Sequence, residues 1–515
     1  MPGRVSRRSV LIGAALAGAA ACGGPSEPAP RLRYPFTLGV ASGEPAATGV
    51  VLWTRLAPDP LADDGLGGMP DRVVGVGWEI AADERFGDIV RRGTADAAPE
   101  FGHSVHIEAD GLRPGAEYFY RFRAGEHLSP VGRTRTAPAA GAGIDALTMC
   151  FVSCAQYEHG YFTAYRRLAE DHPDLILHLG DYIYEYGPGG YPLDGGNVRA
   201  HVGPEAETLA NYRQRYAQYK TDPDLQAAHA VAPWVPVLDD HEVDNNWAGY
   251  AYEKPQKPQP NFPARRAAAF RAYYENMPLR RAQLPRGGDL QLFRRLSWGD
   301  LATFHMLDTR QYRDAQACGG GTKDCPDRLT PTRTITGGDQ ERWLLDGFRD
   351  SRARWDILGQ QVFFSELGTG HGRKNNTDAW DGYAANRDRV VDGWVRARVR
   401  NPVVLTGDVH SAWATDIKQR WDDPAAPTVG TELVATSITS GGDGSESTKA
   451  TPAVLADNPH IKFHNNRRGY VRTRITPDAI HADFRAVPYV STPGAPAETR
   501  ASFVIVDRSP GLESA

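Results

Sequence analysis

After its first two dozen residues the chain has no long apolar run, no excess of basic residues and no internal repeat. A bilayer span needs about 20 apolar residues, so the mature chain is expected to be soluble or held by a lipid. With 58 Lys and Arg against 63 Asp and Glu, the formal net charge is −5. Cleavage before Cys22 removes Arg4, Arg7 and Arg8 and no acid, which takes it to −8. That balance makes nucleic acid a poor bulk partner, and no nucleic acid-binding platform is expected. A length of 515 residues exceeds one ordinary compact core and predicts two domains.

The N-terminus, MPGRVSRRSVLIGAALAGAAACGG, has a basic start, a modest apolar stretch and small residues before a cleavage point, the pattern of an export signal. Ser6-Arg7-Arg8-Ser9-Val10-Leu11 resembles the twin-arginine signal, which exports folded proteins; an ordinary secretory signal is the alternative. Cys22 follows Ala19-Ala20-Ala21, an imperfect form of the pattern before a lipidated cysteine. It is either an acylated membrane tether or a residue lost with the signal. The expected location is secreted, periplasmic or on the cell surface.

Residues 1–33 read as signal and Pro-rich linker. Residues 34–138 carry short β-rich runs, GVVLWTRL, VVGVGWEI, SVHIEA and EYFYRFRA, at the spacing of an immunoglobulin- or fibronectin-like β-sandwich. After TAPAAGAGID, residues 145–510 alternate strands with helices, which predicts a layered α/β domain.

In open α/β sheets functional residues gather at the carboxyl ends of strands. Here four predicted strands end in SC, GDYIY, DDHE and GDVH, which carries Cys154, Asp181, Tyr184, Asp240, His241, Asp408 and His410 toward one crevice if the strands are neighbours. Singly, such residues have ordinary uses: an Asp after Gly is a turn former and a strand-end Cys a small hydrophobe. Together they combine thiol and imidazole, which favour transition ions, with carboxylates, which favour Ca2+, Mg2+ or Mn2+. The anionic donors suit Fe3+ beside Ca2+, with Zn2+ or Mn2+ as alternatives.

The segments SCAQY…GYFTAYRRLAEDHPDLILHLGDYIYEYG, TDPDLQAAHAVAPWVPVLDDHEVDNNWAG, DAWDGYAANRDRVV and VVLTGDVHSAWATDI resemble the PhoD-like alkaline phosphatases and phosphodiesterases, a branch of the calcineurin-like metallophosphoesterases. The early LGVASGEPAATGVVLWTRL is similar to that family's N-terminal β-domain, with Glu44 where Asp is more usual. The resemblance implies an αββα sandwich, Cys154 and Tyr184 as iron ligands, Asp181 as a bridging carboxylate, and Asp240, Asp408 and His410 as further ligands. It also implies hydrolysis of phosphate mono- or diesters through a metal-bound hydroxide, with His241 as the acid and no covalent phosphoenzyme. A phospholipase D-type activity on phospholipids is the alternative within the family, and a non-catalytic surface binding protein the alternative outside it. A monomer is expected.

Among the remaining residues, Arg310 is either a phosphate clamp or the ion-pair partner of Asp308 or Asp314, and His371 is either an entrance residue or merely exposed. Asn245 and Asn246 are calcium ligands or turn formers. Cys318 and Cys325 flank GGGTKD, which predicts a disulfide rather than a second metal site. Cys150 shares parity with Cys154 but lies mid-strand, where a core role is expected.

Overall fold

A computed structural model of the chain describes residues 32–252, 259–370, 374–423 and 425–515. The export signal, Cys22 and His371 lie outside the described residues. Tyr34–Ala515 pack as one compact unit.

Period-two alternation decides which way each strand faces. In a first sheet β1 (Leu147–Val152), β2 (Leu175–Leu179) and β3 (Pro233–Val237) run parallel, with Leu177 opposite both Phe151 and Val235. In a second, β4 (Ala302–Met306), β5 (Trp355–Gly359), β6 (Pro402–Thr406) and β7 (Thr428–Val434) are parallel too. Val403, Leu405 and Leu433 join the core shared with the first sheet. Their neighbours Val404 and Val434 turn the other way, onto Leu344 and Phe348 of α2 (Gly337–Asp350) and Val390, Val391 and Trp394 of α3 (Ala384–Ala397). On the first sheet, α1 (Thr163–Glu170) buries Tyr165 and Leu168. The layers are therefore those expected, two sheets between helices.

The 15-residue strand β8 (Ile461–Ile475) joins the sheets: its first half pairs with Ala412–Lys418 and its second half with β1, both antiparallel. Hydrogen bonding is thereby continuous through 17 strands.

The N-terminal segment contributes to two β layers. Val40–Ala46, Gly49–Arg55 and Ser104–Asp110 extend the first sheet, Val40–Ala46 running parallel to β3. Val74–Ala81, Ile89–Ala97, Glu117–Ala124, His127–Leu128 and Gly132–Arg135 form a separate five-stranded sheet whose Val76, Ile80, Tyr120 and Phe122 are buried. Glu44, in left-handed backbone with φ 51°, accepts a 2.5 Å hydrogen bond from Arg294 Nη2 and ties this segment to Arg294–Trp298. The expected Cys318–Cys325 disulfide is formed. No helix among the described residues is long and apolar enough to cross a membrane.

Candidate metal centre

Each of β1, β2, β3 and β6 ends two residues before a candidate side chain: Cys154, Asp181, Asp239 and Asp408. Two glycines let these ends meet. A Cβ on Gly407 would lie 2.8 Å from Ser153 Cβ and 3.0 Å from Leu179 O; one on Gly180, itself at φ 102°, would lie 2.9 Å from Asp239 N. The turns that follow are strained, since Cys154, Asp181, Asp408 and His410 all hold φ between 55° and 61°. Left-handed backbone costs a non-glycine residue on the order of 1–3 kcal/mol and persists only where surrounding contacts enforce it. Those contacts are visible. Cys154 N donates to Gly180 O at 3.1 Å and Ala155 N to Asp181 O at 2.9 Å. The buried Glu242 carboxylate accepts from the N–H groups of Tyr182 (2.6 Å), Asp239 (2.8 Å) and Asp181 (3.2 Å), pinning two turns to each other.

The side chains fall into three overlapping groups, each with ligand-capable atoms within 4.8 Å of one another: Cys154, Asp181 and His410; Asp181, Asp240 and His241; Asp239, Asp240 and Asp408. Tyr184 completes the first group. Its hydroxyl lies 3.0 Å from His410 Nε2, donates to Asp181 Oδ2 at 3.2 Å and accepts from Ser440 Oγ at 2.7 Å. Asp181 thus belongs to both of the first two groups. Cys154, Asp181, Tyr184, Asp240 and His241 are buried, whereas Asp408 and His410 stay partly open and form the accessible side.

His241 Nδ1 lies 2.8 Å from Glu185 Oε2, and its ring stacks on Tyr184 with centroids 4.1 Å apart. Asn245 N holds the other Glu185 oxygen at 2.9 Å, and Asn246 N donates to Asp240 Oδ2 at 2.7 Å. Arg310 pairs with neither Asp308 nor Asp314 through its guanidinium, although Asp308 accepts its backbone N–H. It is fully buried, with Nε donating to Asp239 at 2.5 Å, Nη1 to Asp378 at 3.1 Å, and Nη2 lying 3.6 Å from Asp240 and 3.9 Å from Asp408. This guanidinium is committed to carboxylates.

The electrostatics are those of a site short of cations. Burial and then Asp240 push the Asp181 carboxyl well above the usual range; burial, Asp239 and Asp240 do the same to Asp408. Burial and then Asp181 raise the Cys154 thiol. His410 goes the other way, lowered to about 3 by burial and Arg468, which leaves a neutral imidazole suited to ligation. For His241 burial opposes the charge, yet Glu185, Asp240 and Asp181 outweigh it and raise the ring well above its ordinary value.

These residues fit bound metal ions. Asp239 Oδ2 and Asp240 Oδ1 are buried without a hydrogen-bond partner, and Arg310 and His241 are too few cations for the carboxylates around them. Buried charge of this kind needs a counter-ion. Cys154, Asp181, Tyr184 and His410 offer a donor set for a transition ion, and Asp239, Asp240 and Asp408 one for a hard cation.

Sequence reading passed over several residues at the centre. Asp239 precedes Asp240 in DDHE, and Glu185 follows Tyr184 in GDYIYE, so adjacency to a recognised motif was the available signal. Asp378 stands in the quoted DAWDGY segment. For Arg468, whose Nη1 donates to His410 O at 2.7 Å, and for Ser440, no local pattern exists.

The family described as PhoD-like phosphatase matches residues 149–484, and its N-terminal domain residues 21–138. The chain is 52% identical over 482 residues to alkaline phosphatase D of Bacillus subtilis (strain 168), covering 93% of this chain and 82% of that protein. A solved structure of PhoD superimposes with a TM-score of 0.91 at 51% identity, covering 94% of this chain and 92% of the other. A family match across most of the chain, on a fold that gathers candidate metal ligands at its strand ends, places this protein in the PhoD-like phosphatase family of phosphoric ester hydrolases.

Proposed function

We propose that the chain is an exported phosphatase that hydrolyses phosphate mono- and diesters at this cluster, with Fe3+ held by Cys154, Asp181, Tyr184 and His410 and Ca2+ by Asp239, Asp240 and Asp408. The observation that carries the reading is the overlap of the three ligand-capable groups on Asp181 and Asp240, which makes one continuous centre of two chemical characters. Bound ions supply Lewis-acid charge for the phosphoryl oxygens and an activated water. The protein's own groups do the rest. Glu185 orients the His241 ring and keeps it charged, leaving Nε2 to deliver a proton to the departing oxygen. Arg310 balances the carboxylates from behind rather than clamping substrate. The left-handed turns at Cys154, Asp181 and Asp408 hold the ligand atoms in place before substrate arrives.

The test is turnover of an aryl phosphate monoester and diester before and after chelation, with Ca2+ and iron returned separately. Activity lost on chelation and recovered with both metals supports the reading; turnover indifferent to chelation contradicts it. Export by the twin-arginine route is checked by replacing Arg7 and Arg8 with Lys, which should retain the protein inside the cell.

A further inference from the structure

The disulfide-closed loop 318–325 lies outside the cluster yet is stitched to it. Its Thr322–Lys323 strand pairs antiparallel with Asn375–Asn376, Lys323 opposite Asn375. Gly321 O accepts from both the N–H and the hydroxyl of Thr377 at 3.1 Å. The next residue is Asp378, which meets Arg310 at 3.0 and 3.1 Å and Arg313 at 3.2 Å.

Gln316, two residues before Cys318, supplies the second link. Its Nε2 carries two hydrogens, and both are used: one bond to Asp378 Oδ1 at 2.7 Å, the other to Asn246 O at 2.7 Å. Asn246, with φ 53°, in turn donates its N–H to Asp240. One amide nitrogen therefore joins the turn that orients Asp240 to the carboxylate that anchors Arg310.

We propose that Gln316 and the Cys318–Cys325 loop form a positioning device for the carboxylate side of the centre, acting through Asp378 on Arg310 and through Asn246 on Asp240. The physical reason is leverage. Buried carboxylates this close repel one another, and Arg310 is the guanidinium that offsets them; its own position depends on Asp239 at one end and Asp378 at the other. Closing the loop covalently removes conformations in which Thr322–Lys323 leaves Asn375–Asn376, and with them the states in which Asp378 drifts. The proposal rests on reading Asp239, Asp240 and Asp408 as part of the catalytic centre.

The test measures kcat, KM, calcium affinity and thermal midpoint for Gln316→Leu, for the Cys318→Ser/Cys325→Ser pair, and for each in an Asp378→Ala background. Misplacement by about 1 Å costs up to about 100-fold in rate, so Gln316→Leu is expected to lower kcat about tenfold and weaken calcium binding in parallel. In the Asp378→Ala background the same substitution should lower kcat by clearly less than the tenfold it costs alone, because the route to Arg310 is already cut and only the Asn246 route to Asp240 is left to lose. Thr377→Val, which deletes one bond and leaves the disulfide intact, should give a smaller loss of the same kind and serves if the serine pair fails to fold. Parental kcat and calcium affinity in Gln316→Leu, or losses that simply add to those of Asp378→Ala, overturn the proposal. Loss of turnover in Asp408→Asn alongside unaffected Gln316 and disulfide variants would sink this inference alone; full activity in Asp408→Asn would sink the reading beneath it.

Discussion

The two sides of the centre are built from different materials on the same scaffold. Cys154, Tyr184 and His410 bring a thiol, a phenol and an imidazole, the phenol hydrogen-bonded to the imidazole and to Ser440; Asp239, Asp240 and Asp408 bring carboxylates set against Arg310. On the first side polar atoms largely find partners within the protein, whereas on the second two buried carboxylate oxygens have none. The difference teaches that one sheet end can set donors suited to a borderline ion beside donors suited to a hard cation, with Asp181 common to the first two ligand-capable groups and Asp240 to the last two.

Breaking the shared residue should have the largest effect. Asp181→Ala is expected to lose iron, through the first group, and to disturb Asp240 and His241, through the second, so that turnover falls to background, as read by elemental analysis and aryl phosphate hydrolysis. His241→Ala should lower kcat by about 10²–10⁴-fold while leaving metal content at the parental level, because the ring delivers a proton rather than building the site. Cys154→Ala sharpens the comparison: iron should be lost and calcium retained, and loss of calcium alone would reverse the assignment of sides.

Glu185→Gln is expected to cost roughly 10–100-fold in kcat with both metals kept, since it disturbs only the orientation and charge of His241. The smallest effect belongs to Cys150→Ala. Cys150 is as buried as Cys154 but lies within β1, so its loss should cost about 1–2 kcal/mol of stability, read as a lowered thermal midpoint, and leave iron content unchanged.

Much of the α/β layering was legible because its strands are short apolar runs, β2 and β6 followed at once by Gly, and α1 and α2 show helical periodicity. The gathering of Cys154, Asp181, Asp240, His241, Asp408 and His410 into one cluster follows from the carboxyl-end rule once the strands are neighbours. What the sequence hid was long-range. Nothing in Val40–Ala46 announces that it runs parallel to β3, and nothing in β8 that its halves serve two sheets, because pairing partners lie far away in the chain. Arg310 shows the same limit: Asp308 and Asp314 are its acidic neighbours in sequence, while Asp239 and Asp378 reach it through the fold. Glu242 was visible as a letter of DDHE, but its task of receiving three backbone N–H groups exists only when two turns meet.

The most direct measurement of the two-sided centre is anomalous X-ray scattering at the iron edge from crystals of the exported protein. The account predicts a single strong peak within ligation distance of Cys154 Sγ, Asp181, Tyr184 and His410, with no iron signal between Asp239 and Asp408. An iron peak among the carboxylates, or none beside Cys154, would contradict it.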